Sequence, residues 1–209
     1  MIRVIIIDDH PVVRRGLKQI IEEEQDMRVV NQAGNAHDAI FVISQTACDA
    51  VILDITLPGI SGIEVLNQLR QERPDLPVLI MSMHEEEQYA LRVIKAGASG
   101  YLMKDSIPEE LIKAIRKIAA GGKYISSSFS ETLISLQESQ GKLLHENLSD
   151  REFQIMCMIV RGKALKDIGE ELCISGKTVS TYRARILEKM KMKSNAEIVS
   201  YALKHELIR

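Results

Sequence analysis

The acidic pair Asp8-Asp9 and three later residues, Asp54, Ser82 and Lys104, are the side chains in this sequence that could do chemistry together. Each follows a short apolar run, which ends at Ile7, Leu53, Met81 and Met103 respectively. Carboxylates brought together repel: two about 4 Å apart cost roughly 4 kcal/mol at an effective dielectric near 20. Three acids in one place therefore need a cation or a proton. Oxygen donors alone favour a hard ion such as Mg²⁺, with waters completing its shell. A metal ion and the Lys104 ammonium would flank the oxygens of a phosphoryl group, and Ser82 could donate a hydrogen bond to one of them. Aspartate can act as a covalent nucleophile in phosphoryl transfer. Asp54, central between Asp8-Asp9 and Lys104, is the candidate acceptor. The turn Ile55-Thr56-Leu57-Pro58-Gly59 would expose its side chain and direct the backbone carbonyl of Thr56 at the metal.

The elements that must position these residues are legible as alternating patterns. Val4–Ile7, Val29–Ala33, Ala50–Leu53, Val78–Met81 and Gly100–Met103 read as strands, short and bounded by polar or turn residues. Helical periodicities lie between them. One carries Val12, Val13, Leu17, Ile20 and Ile21; another Ile63, Leu66 and Leu69, stopped before Pro74. A third carries Ala90, Val93 and Ile94, and a fourth Leu111, Ile112, Ile115 and Ile118, ended by Gly121-Gly122. Strand alternating with helix predicts an α/β fold, a doubly wound five-stranded parallel sheet with helices on both faces. Continuously apolar strands agree, because both faces of such a sheet are covered. Ligands of open α/β sheets bind beyond the carboxyl ends of the strands, near the switch in strand order. A lone strand-end Asp, Ser or Lys is more often a helix cap or a solvated side chain. Four of five strands delivering such groups to one edge is a different matter.

Composition sets the outer bounds. At 45% hydrophobic residues and a net charge of −2, the chain is expected to fold rather than stay disordered. No apolar run approaches the roughly 20 residues a membrane helix needs, and the opening Met1-Ile2-Arg3 does not read as a signal peptide. Three widely spaced cysteines without a CxxC pair suit a reducing cytoplasm and predict neither zinc site nor disulfide framework. The charge is uneven. Residues 1–125 hold 14 Lys and Arg against 18 Asp and Glu, whereas Lys177 to Lys193 holds six basic residues and one acidic. An acidic front and a basic local segment predict two domains, the second able to meet a polyanion.

Between them, residues 122–147 read as a linker. Ser126-Ser127-Ser128, Ser130, Gln137, Ser139, Gln140 and Gly141 make it polar, with Phe129, Leu133 and Leu136 as apolar anchors of one short helix. From Leu148 on there is no strand-like run. Ser149 to Glu152 fits a capping box. Helices are expected over Phe153 to Val160, Lys166 to Leu172 and Lys177 to Met190, and a fourth follows a cap at Ser194. That makes a small all-α four-helix domain.

Asp8-Asp9, Asp54 with Leu57-Pro58-Gly59 and Gly62, Ser82, and Gly100-Tyr101-Leu102-Met103-Lys104 closely resemble the receiver domain of bacterial two-component response regulators. The match covers residues 1–121 and implies a flavodoxin-like fold. It also implies that Asp54 is the phosphoacceptor, that Asp8, Asp9 and Asp54 hold Mg²⁺, and that Lys104 pairs with the phosphoryl group. Ser82 would be the switch hydroxyl and Tyr101 the aromatic that follows it. Without the resemblance Tyr101 reads as a half-buried strand residue. The implied donor is a phosphohistidine on a sensor histidine kinase, or a small acyl phosphate.

Gly176-Lys177-Thr178 invites a phosphate-loop reading, but the required upstream glycine is Glu171 and no strand precedes it. Helix-turn-helix is the better account: Lys166–Leu172, a turn through Ile174, then a basic helix. Val179, Ile186 and Met190 would face the core while Thr178, Ser180, Thr181, Arg183, Ala184 and Arg185 fall mostly outward. Residues 148–209 resemble the LuxR-type helix-turn-helix of the NarL/FixJ class, through Leu148-Ser149-Asp150-Arg151-Glu152, Gly162, Lys166-Asp167-Ile168, Ile174-Ser175, Lys177-Thr178-Val179 and Lys189-Met190. The chain departs from that pattern in having Ala164-Leu165 where Ser-Asn is common and Gly169 where Ala is usual. By position, the resemblance implies that Ser180, Thr181 and Ala184 meet bases, and that Lys177, Thr178, Tyr182, Arg183 and Arg185 serve the backbone of double-stranded DNA.

The expected function is a cytoplasmic DNA-binding transcription regulator, not an enzyme, switched by phosphorylation of Asp54. One small helical module buries little surface, so a homodimer on paired half-sites is expected. An aspartyl-phosphate phosphatase would use similar carboxylates, but its nucleophile usually ends the first strand and the helical tail would have no role. A relay whose tail binds protein would leave the basic segment unexplained; salt-dependent DNA binding would discriminate.

Overall fold

The computed structural model describes residues 1–83, 87–125, 143–205 and 207. They form two compact units, one of strands and helices and one of helices only. In the first, β1 (Ile2–Ile7), β2 (Met27–Ala33), β3 (Ala50–Asp54), β4 (Val78–Ser82) and β5 (Gly100–Met103) make one parallel sheet in the order β2-β1-β3-β4-β5. The crossovers are α1 (Pro11–Glu22), α2 (Ala36–Gln45), α3 (Gly62–Glu72) and α4 (Glu87–Lys95), and α5 (Pro108–Ala119) follows β5.

The central strands are apolar on both faces because both faces are covered. Val4 to Ile7 and all of β3 and β4 are buried. All five expected strands are present, extended by one or two residues in β1, β2, β3 and β4. One helix is new. α2 buries Ala36, Ala39 and Ile43 while Phe41 stays 63% exposed, so its inward stripe is built from small residues that carry a weak periodic signal. Its start was readable in Asn35, whose side chain accepts the Asp38 amide at 2.9 Å.

The helical unit opens with a 3₁₀ turn over Leu144–Asn147 and continues as α6 (Asp150–Val160), α7 (Leu165–Glu171), α8 (Gly176–Lys189) and α9 (Asn195–Lys204). α6 is its centre, with every residue from Arg151 to Val160 buried. The capping box at Ser149 and Glu152 is present, and Ser175 and Ser194 cap α8 and α9. The linker residues Ser126–Ser128, Phe129, Ser130, Leu133, Leu136, Gln137, Ser139, Gln140 and Gly141, with the short helix expected there, lie outside the described residues. Among the described residues no helix is long and apolar enough to cross a membrane.

Candidate phosphoryl site and recognition helix

The strand order reverses between β1 and β3, and Asp8 and Asp54 stand at the carboxyl ends of those two neighbours. Lys104, just past β5, reaches across to both. Its Nζ lies 2.7 Å from Asp54 Oδ2 and 2.6 Å from Asp8 Oδ2, with all three side chains at most 5% exposed. The other Asp54 oxygen, Oδ1, accepts the Thr56 amide at 3.0 Å. Burial raises the Asp54 carboxyl to about 6 in spite of the adjacent ammonium, which pulls it down. The Asp54 carboxyl is thus held more basic than that of an exposed aspartate. Burial also opposes the charge on Lys104, but Asp54 and Asp8 outweigh it and hold the ammonium above its usual value.

Several backbone devices fix this edge. The Lys104 amide donates to the Ser82 carbonyl at 2.8 Å, which ties the end of β5 to the end of β4. Ser82 is fully enclosed and Tyr101 is buried. The loop after β3 turns at Gly59, with φ +80, and returns so that the Gly62 amide donates to the Ile55 carbonyl at 2.9 Å. Ser61 then starts α3 with a capping box to Glu64.

Ligand atoms of Asp8, Asp9, His10 and Asp54 lie within 4.8 Å of one another. Asp9 Oδ1 is buried without a hydrogen-bond partner; His10 Nδ1 stands 2.7 Å from it, an ion-pair distance that lacks hydrogen-bond geometry. An enclosed acceptor oxygen of this kind, among carboxylates, fits a cation. Oxygen donors alone are expected on the reading that no His lies near the acids, and that last point needs correction. His10 caps α1 directly after the acid pair, its amide donates to Asp8 Oδ1 at 2.8 Å, and its ring faces Asp9. The signal was its adjacency to Asp8-Asp9 in the turn into α1. Thr56 is placed beside Asp54 through its amide.

In the helical unit, α7 and α8 are joined by a tight turn. Cys173 adopts φ +52 there, and the buried Arg151 donates to the Leu172 carbonyl at 3.1 Å. Val179, Ile186 and Met190 are fully buried, so α8 rests on one stripe. Lys177, Thr178, Ser180, Thr181, Ala184 and Arg185 are exposed, whereas Tyr182 and Arg183 flank the buried stripe and are half-buried. Arg183 is engaged internally, its Nε donating to Asn195 Oδ1 at 2.7 Å, a tie to α9 that nothing in the local sequence announces. Lys189 Nζ pairs with the nearly enclosed Glu152 at 2.6 Å and fastens the far end of α8 to α6. Burial acts to raise the Glu152 carboxyl, but Lys189 and the Ser149 amide outweigh it and hold it below the usual range.

Comparison with known proteins agrees with both halves. Residues 4–116 match the family described as response regulator receiver domain, and residues 146–202 match bacterial regulatory proteins, luxR family. Response regulator GacA of Pseudomonas aeruginosa is 36% identical over 210 residues, covering 100% of this chain and 98% of that protein. Response regulator UvrY of Escherichia coli is 34% identical over 209 residues, covering 99% and 96% respectively. Among solved structures, a LuxR-family two-component response regulator from Aurantimonas is 37% identical, with a TM-score of 0.63 over 66% of this chain and 98% of that one. RcsB from Salmonella enterica serovar Typhimurium, solved on promoter DNA with a phosphomimetic, has a TM-score of 0.63 at 23% identity over 96% of this chain and 97% of that one, a likeness of fold alone. The chain belongs to the two-component response regulators of the NarL/FixJ class, DNA-binding transcription regulators that join a receiver domain to a LuxR-type helix-turn-helix.

Proposed function

We propose that Asp54 is the residue at which this regulator takes up its phosphoryl group, and that the added charge changes how α8 engages double-stranded DNA. The observation that carries the reading is the enclosed Asp8–Lys104–Asp54 contact at the sheet's switch point. In the transfer, an Asp54 oxygen forms a bond to phosphorus as the bond to the donor breaks. With a phosphohistidine of a sensor histidine kinase as donor, the imidazole nitrogen keeps the electron pair and takes a proton from water. Asp8, Asp9 and Asp54, with the Thr56 carbonyl, would hold Mg²⁺, which when bound supplies neutralising charge for the phosphoryl oxygens. Lys104, freed from part of its contact with Asp54, pairs with the new phosphoryl oxygens. Ser82 donates to one of them, and Tyr101 follows Ser82.

By sequence pattern the receiver occupies residues 1–121, the linker 122–147 and the DNA-binding domain 148–209, although Tyr124, within the linker span, still bridges β5. On α8, Ser180, Thr181 and Ala184 address bases, and Lys177, Thr178, Tyr182, Arg183 and Arg185 address phosphates. The regulator works in the cytoplasm as a homodimer on paired half-sites and is not an enzyme.

The test is direct. With Mg²⁺ and a small acyl phosphate, the intact chain gains the mass of one phosphoryl group and Asp54→Asn does not. Phosphorylated chain binds its selected duplex more tightly in gel shift, and Asp54→Asn is indifferent to the donor. Equal DNA affinity for every form would reject phosphorylation gating.

A further inference from the structure

The β/α unit does not end with its last helix. α5 stops at Ala119, and Gly121, with φ +82, reverses the chain, its amide donating to the Ile118 carbonyl at 2.9 Å and that of Gly122 to the Lys117 carbonyl at 3.0 Å. The reversal lays Tyr124 along the edge of β5, as a parallel bridge to Gly100. The Tyr124 amide donates to the Ser99 carbonyl at 2.9 Å, and the Tyr124 carbonyl accepts the Tyr101 amide at 3.2 Å. Gly100 makes the approach possible, since a Cβ there would stand 2.8 Å from the Tyr124 carbonyl oxygen and 2.9 Å from Leu79 Cδ1. The Tyr124 side chain is 6% exposed and packs into the core cluster with Leu79, Leu102, Leu111 and Ile118.

We infer that Tyr124 is a positioning residue: a one-residue strand, clamped to the backbone of Tyr101, that joins the phosphoryl site to the chain leading into the helical unit. The inference rests on the proposed roles of Asp54, Ser82 and Tyr101. β5 is held at two places that matter. Past its carboxyl end, the Lys104 amide bonds the Ser82 carbonyl and the Lys104 ammonium meets Asp54; along its edge, the Tyr101 amide bonds Tyr124. A displacement of the Tyr101 backbone that follows new charge at Asp54, as distinct from a turn of its ring alone, either carries Tyr124 with it or breaks that bond. In both cases the chain following Tyr124 starts from a changed anchor. Residues 122–147 read as linker from composition, but this anchor makes Tyr124 the last residue of the receiver sheet.

The test uses the full chain, Mg²⁺, acyl phosphate and a duplex selected from a random-sequence library by phosphorylated wild type. Tyr124→Ala removes the buried anchor and Gly100→Ala pushes Tyr124 off the edge from the other side; Tyr124→Phe keeps the ring. Phosphoryl uptake, read by intact mass, stays as in wild type for all three. Phosphorylation raises wild-type and Tyr124→Phe affinity for the duplex by about tenfold, while for Tyr124→Ala and Gly100→Ala the ratio falls towards one. Full phosphoryl uptake with an undiminished ratio in the two alanine variants overturns the inference. A wild type that takes up no phosphoryl group overturns the reading of Asp54 instead, and the inference with it. Should both alanine variants fail to fold, hydrogen exchange of wild type decides: protection of the Tyr101 and Tyr124 amides changes on phosphorylation, and identical protection overturns the joint.

Discussion

Gly62 stands so close to Asp54 that a Cβ placed on it would lie 2.1 Å from the Asp54 carbonyl oxygen. The same atom would be 2.8 Å from the Ile55 Cα, so nothing flexible can give way. The loop that carries Thr56 to the Asp54 carboxylate closes only because residue 62 has no side chain. Gly62→Ala is expected to cost about 3 kcal/mol, the upper range for overpacking against rigid neighbours. Urea unfolding measures that loss, and phosphoryl uptake from acyl phosphate is expected to slow in the fraction that remains folded. An alanine variant as stable as wild type would show that the loop relaxes freely.

Asp9 is the acid that Lys104 does not reach: the ammonium contacts Asp8 and Asp54, and Asp9 Oδ1 is left enclosed without a hydrogen bond. Without a cation, its charge adds repulsion to the two neighbouring carboxylates, with the His10 ring nitrogen Nδ1 2.7 Å from its Oδ1. Asp9→Asn is therefore expected to stabilise the metal-free chain by about 1 kcal/mol, a small part of the Coulomb term for such a spacing. It is also expected to remove the rise in melting temperature predicted for wild type on adding Mg²⁺. Thermal scans with and without Mg²⁺ read both effects, and a variant that melts lower than wild type in metal-free buffer contradicts the assignment.

How far the sequence could be read depended on whether a residue's role leaves a periodic or positional trace. β1, β3 and β4 were legible because burial on both faces makes a run continuously apolar. Asp8, Asp54 and Lys104 were legible because parallel topology sends every strand's carboxyl end to one edge. α2 was not, since its inward stripe is Ala36, Ala39 and Ile43 and its largest apolar residue, Phe41, points to solvent. Tyr124 pairs with β5 through a single residue, too short for any period, and Arg183 finds Asn195 across a turn. Contacts of that kind are set by tertiary approach. His10 sat beside the acid pair in plain view, but adjacency alone does not tell which way a ring faces.

Glu152 and Lys189 tie α6 to α8, and the tie is sensitive to acid. The folded Glu152 carboxyl titrates below its unfolded value of about 4.3, because Lys189 and the Ser149 amide outweigh its burial. The stabilisation is thus fully present above that unfolded value and is lost as pH falls through the lower, folded one. Glu152→Gln is expected to be about 1 kcal/mol less stable than wild type at pH 7, with Lys189 partly solvated, and the gap is expected to narrow as pH falls below the unfolded value. Helix loss followed by circular dichroism at each pH measures it. A gap that widens on acidification would reverse the sign and dismiss the pair as a source of stability.

On α8 the hydroxyl protons of two proposed base readers are already spent. Ser180 donates to the Gly176 carbonyl at 2.9 Å and Thr181 to the Lys177 carbonyl at 3.1 Å, which leaves each oxygen as an acceptor facing outward. Acceptors in the major groove meet the amino donors of adenine or cytosine, so these residues are expected to read such bases. Ser180→Ala then weakens binding by about 1 kcal/mol at one base pair and relaxes the preference there, with the salt dependence unchanged. Arg185→Ala weakens binding evenly across sequences and lowers the salt slope by about one unit. Arg183→Ala behaves differently from both, because its guanidinium holds Asn195 at 2.7 Å: affinity and the melting temperature of the helical unit fall together. Selection of duplexes at two salt concentrations, with melting curves for each variant, separates the three. If Arg183→Ala changes the salt slope but leaves melting untouched, its bond to α9 contributes nothing to holding the recognition helix in place.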